Sequence, residues 1–277
     1  MDLNWLEAVI FGLVSGLSEI LPVSAPAHEA LISKLFGMPD HTLLRLLVHA
    51  AVCAAIYVSQ SRNISRMLQA RRLSKIPPKR RQRQPDPILI RELKLLNTAL
   101  IMIILGFIAA YFLRNVRMDL SITAVLLVIN GVILYIPGHM PQGNKDARSM
   151  SPLDGILIGF GSALAILPGI SRIGATVSVA GARGAWKENS LRWALLLNLA
   201  AMFIVVSFDI YTLISTGFGV LSISTLIACA LAGAAAFISA IAGIRIMEYF
   251  AFQIGFSGFA YYSWGAALFA FLIYLTI

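Results

Sequence analysis

Charge is scarce in this chain. Only 13% of its 277 residues are charged while 58% are hydrophobic, and the mean hydropathy is +0.82. A soluble domain carries roughly a quarter charged residues, so a water-exposed globule is excluded. Cysteine is nearly absent as well: Cys53 and Cys229 both fall inside apolar stretches, where the thiol acts as a small hydrophobe. That excludes a disulfide framework and any metal-type cysteine spacing. Ahead of the first apolar block stand Asp2 and Glu7 with no lysine or arginine, the wrong flank for a secretory signal peptide. The segment is therefore expected to belong to the mature chain.

What remains is apolar sequence in long blocks. A helix crosses a bilayer with about 20 mostly apolar residues, and six stretches meet or approach that length: 42–60, 95–113, 120–137, 190–214, 221–246 and 254–277. Eleven of the 22 basic residues crowd between the first two, within 61–94. Such a cluster between spans marks the cytoplasmic side, and its concentration argues against nucleic acid as a partner. With that loop inside, alternation adds Lys145, Arg148, Arg183, Lys187, Arg192 and Arg245 to the inner side. Lys34, Arg45, Arg114 and Arg117 fall outside. Seventeen basic residues against four support this topology, with both termini extracytoplasmic.

Two further apolar stretches are interrupted. Residues 5–36 contain Pro22-Val23-Ser24-Ala25-Pro26, and residues 152–182 contain Pro168-Gly169-Ile170-Ser171-Arg172. Proline inside a helix removes a backbone bond and clashes with the preceding turn. Backbone freed at membrane depth must be buried in protein or line a wet cavity. Each stretch thus reads as a re-entrant hairpin, entering and leaving on one face. Their spacings also match: Ser15, Leu17 and Ser24 follow Gly12 at the offsets at which Ser162, Leu164 and Ser171 follow Gly159. Three spans follow each hairpin, and three is odd, so the second copy must be inverted. The expected fold is an all-α polytopic membrane protein with six transmembrane helices and two re-entrant hairpins. Its halves, 1–137 and 138–277, form an inverted repeat, a design that places the site where the broken segments meet.

Ionisable groups at membrane depth are costly and point to function. On the first hairpin Ser15 and Glu19 share one helix face, and the turn after Pro22 can bring His28 back toward Glu19. His49, on a spanning helix without a partner nearby in sequence, reads as a core histidine. The second hairpin combines what phosphate binding requires. Arg172 supplies a planar fork matched to phosphate oxygens, Gly169 and Gly174 admit close backbone, and Ser171 and Thr176 add hydroxyls. A helix starting there would aim its N–H groups at an anion.

The run from Glu19 through Ser24 to His28, together with Pro168 to Thr176, resembles the two signature regions of the undecaprenyl-diphosphate phosphatase family, also called the bacitracin-resistance family. The resemblance implies hydrolysis of a polyprenyl diphosphate lipid, the cell-wall carrier, to the monophosphate. It implies a multi-pass protein of the bacterial plasma membrane with its site toward the extracytoplasmic side. By position, Glu19, His28, Arg172 and Ser24 take the catalytic roles, with Ser171, Thr176, Gly169, Gly174 and Ser15 around the diphosphate. Mg²⁺ or Ca²⁺ bridging the phosphates would find Glu19 as its carboxylate. Departures from the family pattern are specific. Ser15 stands where the family usually has Glu or Gln, Ala25 where it has a second serine, Ala27 where it has glycine, and Ile173 where it has serine. Arg192 and Ala194 replace a Glu and a Ser. With Ala25 in place, the attacking group is Ser24, His28 or an activated water. A non-catalytic polyprenyl-phosphate binder or transporter on the same fold is the alternative. A type-2 phosphatidic acid phosphatase is disfavoured because its histidine and arginine motifs are absent. A homodimer is the expected assembly.

Overall fold

The computed structural model describes residues 3–81, 83–113, 118–141, 143–217 and 222–276. Asp2 of the signal-peptide argument, Arg114 and Arg117 of the charge count, and Leu221 and Ile277, which bound two expected spans, lie outside the described residues. Among the described residues, ten α-helices run in the order α1 (Trp5–Ile20), α2 (Ala25–Phe36), α3 (Thr42–Lys75), α4 (Pro87–Leu113), α5 (Leu120–Gly138), α6 (Pro152–Ala163), α7 (Arg172–Ala182), α8 (Lys187–Thr216), α9 (Ile223–Tyr249) and α10 (Gly258–Thr276). Six of them, α3, α4, α5, α8, α9 and α10, are long and apolar enough to cross a membrane. No β-strand occurs among the described residues; a lone bridge joins Lys145 to Ala185. Apolar side chains as large as Phe112, Tyr211, Ile214 and Leu275 stand exposed along these helices, as they would against lipid. The chain is an all-α polytopic membrane protein.

Both interrupted stretches are broken where proline dictates. Helix α1 stops at Ile20, ahead of Leu21-Pro22, and α2 starts with Pro26 in its first turn, where the missing N–H costs nothing. The second break holds a short 3₁₀ turn, Leu164–Ile166, before the Pro168-Gly169 corner. Helix ends elsewhere are capped by local chemistry. Ser151 and Asp154 form a reciprocal capping box on α6. Asp119 caps α5, and the Ser121 hydroxyl and Ile122 N–H that donate to it hold its carboxyl below the ordinary range.

One boundary differs from expectation. Residues 61–94, read as a basic loop, are mostly helix: α3 continues to Lys75 and α4 begins at Pro87. Arginine, leucine, methionine and glutamine are good helix formers, and no proline intervenes before Pro77. Met67 and Ala70 are buried, and Met67 packs with Leu95, Leu96 and Ala147, so tertiary contact holds the extension. Glu92, buried on α4, accepts from Arg192 and from the Trp193 indole of α8 at 2.9 and 2.8 Å. Arg192 therefore has a structural partner here.

Packing brings the two broken stretches together. Helix α1 lies on α9 so closely that a Cβ at Gly12 would stand 2.1 Å from Ala232 O, and at Gly16 2.2 Å from Ala236 O. Helix α6 lies on α4 in the same manner, with Gly159 against Ala99 and Gly155 against Leu95. Small residues spaced four apart permit this approach between apolar helices. Helix α5 touches both α2 and α7 and packs along α10, so the two corners face each other beside it.

Candidate active site

The corners after α1 and before α7 are interlocked by hydrogen bonds. Gly169 N–H donates to Ser24 Oγ at 3.0 Å, and the Ser171 hydroxyl donates to Leu21 O at 3.4 Å. Between them sits Asn130, from the middle of α5. Its carbonyl accepts from Ser171 N–H at 2.9 Å, and its amide donates to Pro22 O and to Ser263 Oγ of α10 at 3.1 and 3.0 Å. One fully buried amide thus satisfies backbone groups that both prolines leave without helical partners. Ser24 has φ +71°, the one positive-φ non-glycine among the described residues. A residue held in that region marks a place where surrounding structure outweighs local preference.

Over this knot lies an ion pair. Arg172, the first residue of α7, places Nη1 at 3.3 Å from Glu19 Oε1 and 3.0 Å from Asn198 Oδ1. Both charged side chains are 13% exposed. The Phe107 ring stands 5.9 Å from the guanidinium carbon, on one side of the fork. Every hydrogen bond of the guanidinium uses Nη1. Nη2 and Nε have no partner among the described residues, so one edge of the fork is free. Buried polar atoms without partners also include Ser15 Oγ, one turn before Glu19, and Asn198 Nδ2. Unsatisfied buried polar atoms are uncommon, and this pair flanks Glu19 and Arg172.

The sequence-derived residues distribute unevenly. Glu19, Ser24, Gly169, Ser171 and Arg172 converge. Gly174 sits at the seam, where a Cβ would come within 3.0 Å of Pro22. Thr176 turns inward and donates to Arg172 O at 2.7 Å, a bond within α7. Ser171 caps α7 by accepting from Gly174 N–H at 3.1 Å. His28 does not bond to Glu19: its ring nitrogens meet Ser24 O and the Tyr262 hydroxyl, each at 2.8 Å. His49 does have partners, supplied by other helices: Asp209 of α8 at 2.6 Å from Nδ1 and Glu29 of α2 at 3.7 Å from Nε2. Asn130, Asn198, Tyr262 and this carboxylate pair were missed. Polar residues within apolar spans are the signal that could have found them.

A divalent ion held by the protein needs several oxygen ligands. Glu19 offers one carboxylate already engaged by Arg172, and among the described residues no group of three His, Cys, Asp or Glu side chains is arranged to hold a metal ion. That donor set does not fit a protein-built Mg²⁺ or Ca²⁺ cage.

Residues 8–269 match the family described as bacitracin resistance protein BacA. The chain belongs to that family. Among BacA-like relatives, an undecaprenyl-diphosphatase of Carboxydothermus hydrogenoformans is 32% identical over 201 residues, covering 72% of this chain and 71% of the relative. One from Paenarthrobacter aurescens is 29% identical over 215 residues, 77% of this chain and 76% of the relative. Another, from Alkaliphilus metalliredigens, is 27% identical over 271 residues and covers 93% and 94% of the two chains. The BacA match includes both corners, Asn130, Asn198 and Tyr262.

Proposed function

We propose that this BacA-family protein is a membrane hydrolase that converts undecaprenyl diphosphate to the monophosphate and phosphate. The carrying observation is the free edge of Arg172. One edge is fixed by Glu19 and Asn198, which orients the guanidinium before any ligand arrives, and the other can meet two phosphate oxygens as a fork. In this reading the unpartnered Asn198 amide and Ser15 hydroxyl add donors to the diphosphate. Gly169 and Gly174 let the two corners close around it. Phosphoryl transfer relies chiefly on positioning and on stabilising charge, and this arrangement supplies both. His28 has both ring nitrogens occupied and Ser24 Oγ is buried against Gly169 N–H, so an activated water is the attacking group. The fit of the donor set gives no protein-held metal, and no step runs through one.

We infer further that each broken stretch is a re-entrant hairpin and that the halves 1–137 and 138–277 are inverted copies. Support comes from matched packing: α1 on α9 and α6 on α4, each through two glycines, and from Ser15 and Ser162, which occupy matched offsets and are both buried without a partner. The basic ends of α3 and α4 would then face the cytoplasm, in a bacterial plasma membrane, with the diphosphate site reached from the extracytoplasmic side. A homodimer belongs to the same proposal. A reporter fused between α3 and α4 should be cytoplasmic, and one inserted between α2 and α3 extracytoplasmic. Equal accessibility of both positions from one side would overturn the arrangement.

Purified protein in detergent should release inorganic phosphate from undecaprenyl diphosphate with multiple turnovers. Binding of the lipid without phosphate release would replace the enzyme by the binder or transporter.

A further inference from the structure

Glu19 is committed to Arg172 by its ion pair, and Ser15, one turn earlier on α1, brings a hydroxyl rather than a second carboxylate. Hydrolysis of a phosphoanhydride by water still needs a group to accept the water proton. A carboxylate on a neighbouring helix stands close by. Glu29, on α2, lies within electrostatic reach of both Glu19 and His28. One of its oxygens is 3.7 Å from His49 Nε2, and the other has no partner among the described residues. Its side chain is 16% exposed and lines an open cavity between α1, α2 and the start of α3, whose wall also includes Phe11 and Pro26. Phe11, Ser15 and Glu19 are spaced four apart and so follow one face of α1. That face runs from the cavity wall down to the ion pair.

We propose that Glu29 is the second carboxylate of the site and accepts the proton of the attacking water, with His49 and Asp209 as positioning residues. This rests on the hydrolase reading. Asp209 binds His49 Nδ1 at 2.6 Å, which fixes the imidazole and turns Nε2 toward Glu29. In the reaction, the water oxygen bonds to the terminal phosphorus as its proton passes to Glu29. The bridging oxygen then leaves with its electron pair on the lipid monophosphate, and the proton on Glu29 is released through the cavity. Helices α2, α3 and α8, each tied to the site by Ser24, His49 or Asn198, hold this second group in place.

The test measures phosphate release and its kcat and KM for undecaprenyl diphosphate in four purified proteins. Glu29→Gln should lower kcat about 100-fold with KM nearly unchanged, the scale of a lost general base. His49→Gln should cost roughly 10-fold in kcat, the effect of a lost orienting partner. Adding Ser15→Glu to Glu29→Gln returns a carboxylate to the α1 face and should recover about tenfold of the loss, within the range of general-base effects. Glu29→Gln with the parental kcat overturns the assignment. So does a loss that Ser15→Glu leaves unrepaired, since Glu29 would then serve only the packing of α2. Failure of the unmodified protein to release phosphate is a separate result and overturns the hydrolase reading itself.

Discussion

Arg172→Ala should reduce kcat/KM for undecaprenyl diphosphate by about a thousandfold, because removing a positioned donor to the reacting phosphate costs about 2.7–4 kcal/mol of transition-state stabilisation and 1.36 kcal/mol is a tenfold change. Two losses combine in this variant. The free edge proposed to receive the phosphate disappears, and Glu19 remains as a negative charge facing an anionic substrate. Arg172→Lys separates these contributions. Lysine restores a positive charge beside Glu19, yet a single ammonium cannot hold Glu19 and Asn198 while presenting a planar fork outward. Each charged hydrogen bond lost is worth about 1.5–3 kcal/mol, so the Lys variant should be impaired roughly 10- to 100-fold. Its defect should be visible in lipid binding as well as in turnover. Titration of the three proteins with the lipid checks this directly. Parental affinity in Arg172→Lys would reduce Arg172 to a packing residue and remove the observation on which the functional reading stands.

The parts of this site that were readable in the sequence are those with a local pattern. Prolines 22 and 168 announced the two breaks because proline removes a helix bond wherever it stands. The Pro-Gly-x-Ser-Arg-x-Gly-Ala-Thr run pointed to Arg172 and its corner, because those residue types at that spacing are what an anion site would need. Hydropathy located six helices that can cross a membrane, although it ended α3 too early. Apolar content falls after Gln60 while helix propensity persists, and burial of Met67 and Ala70 depends on α4. Asn130 and Asn198 stood out only as amides amid apolar neighbours, which marks a position but not a role; their roles arise when α5 and α8 meet the corners. The same holds for His49, which is 160 residues from Asp209 in sequence yet bonded to it in space. His28 illustrates the opposite error. Sequence proximity suggested a partnership with Glu19, but helix α2 carries its ring toward Tyr262 on α10.

Gly169→Ala should destabilise the protein by roughly 2–4 kcal/mol, combining strain at a backbone angle that L side chains avoid with overpacking of a tight contact. Gly169 has φ +127°, and a Cβ there would stand 2.5 Å from Leu126 Cβ and 2.8 Å from Thr123 O. Thr123 O belongs to the α5 backbone, so relief requires the corner itself to move. Moving it breaks the Gly169 N–H bond to Ser24 Oγ and disturbs Ser171, whose N–H is held by Asn130. Arg172 is the next residue, so displacement of the corner carries the guanidinium away from Glu19. Stability and phosphate release should therefore fall together. Gly181, on the same helix as Arg172, provides the comparison: it has an ordinary φ, and a Cβ would meet nothing within 4 Å. Gly181→Ala should be neutral or stabilising by up to about 1 kcal/mol, the helix preference of alanine over glycine. Thermal unfolding in detergent and phosphate release, measured on both variants, decide the matter. A Gly169→Ala protein as stable and active as Gly181→Ala would mean that the corner is not the rigid support of Arg172.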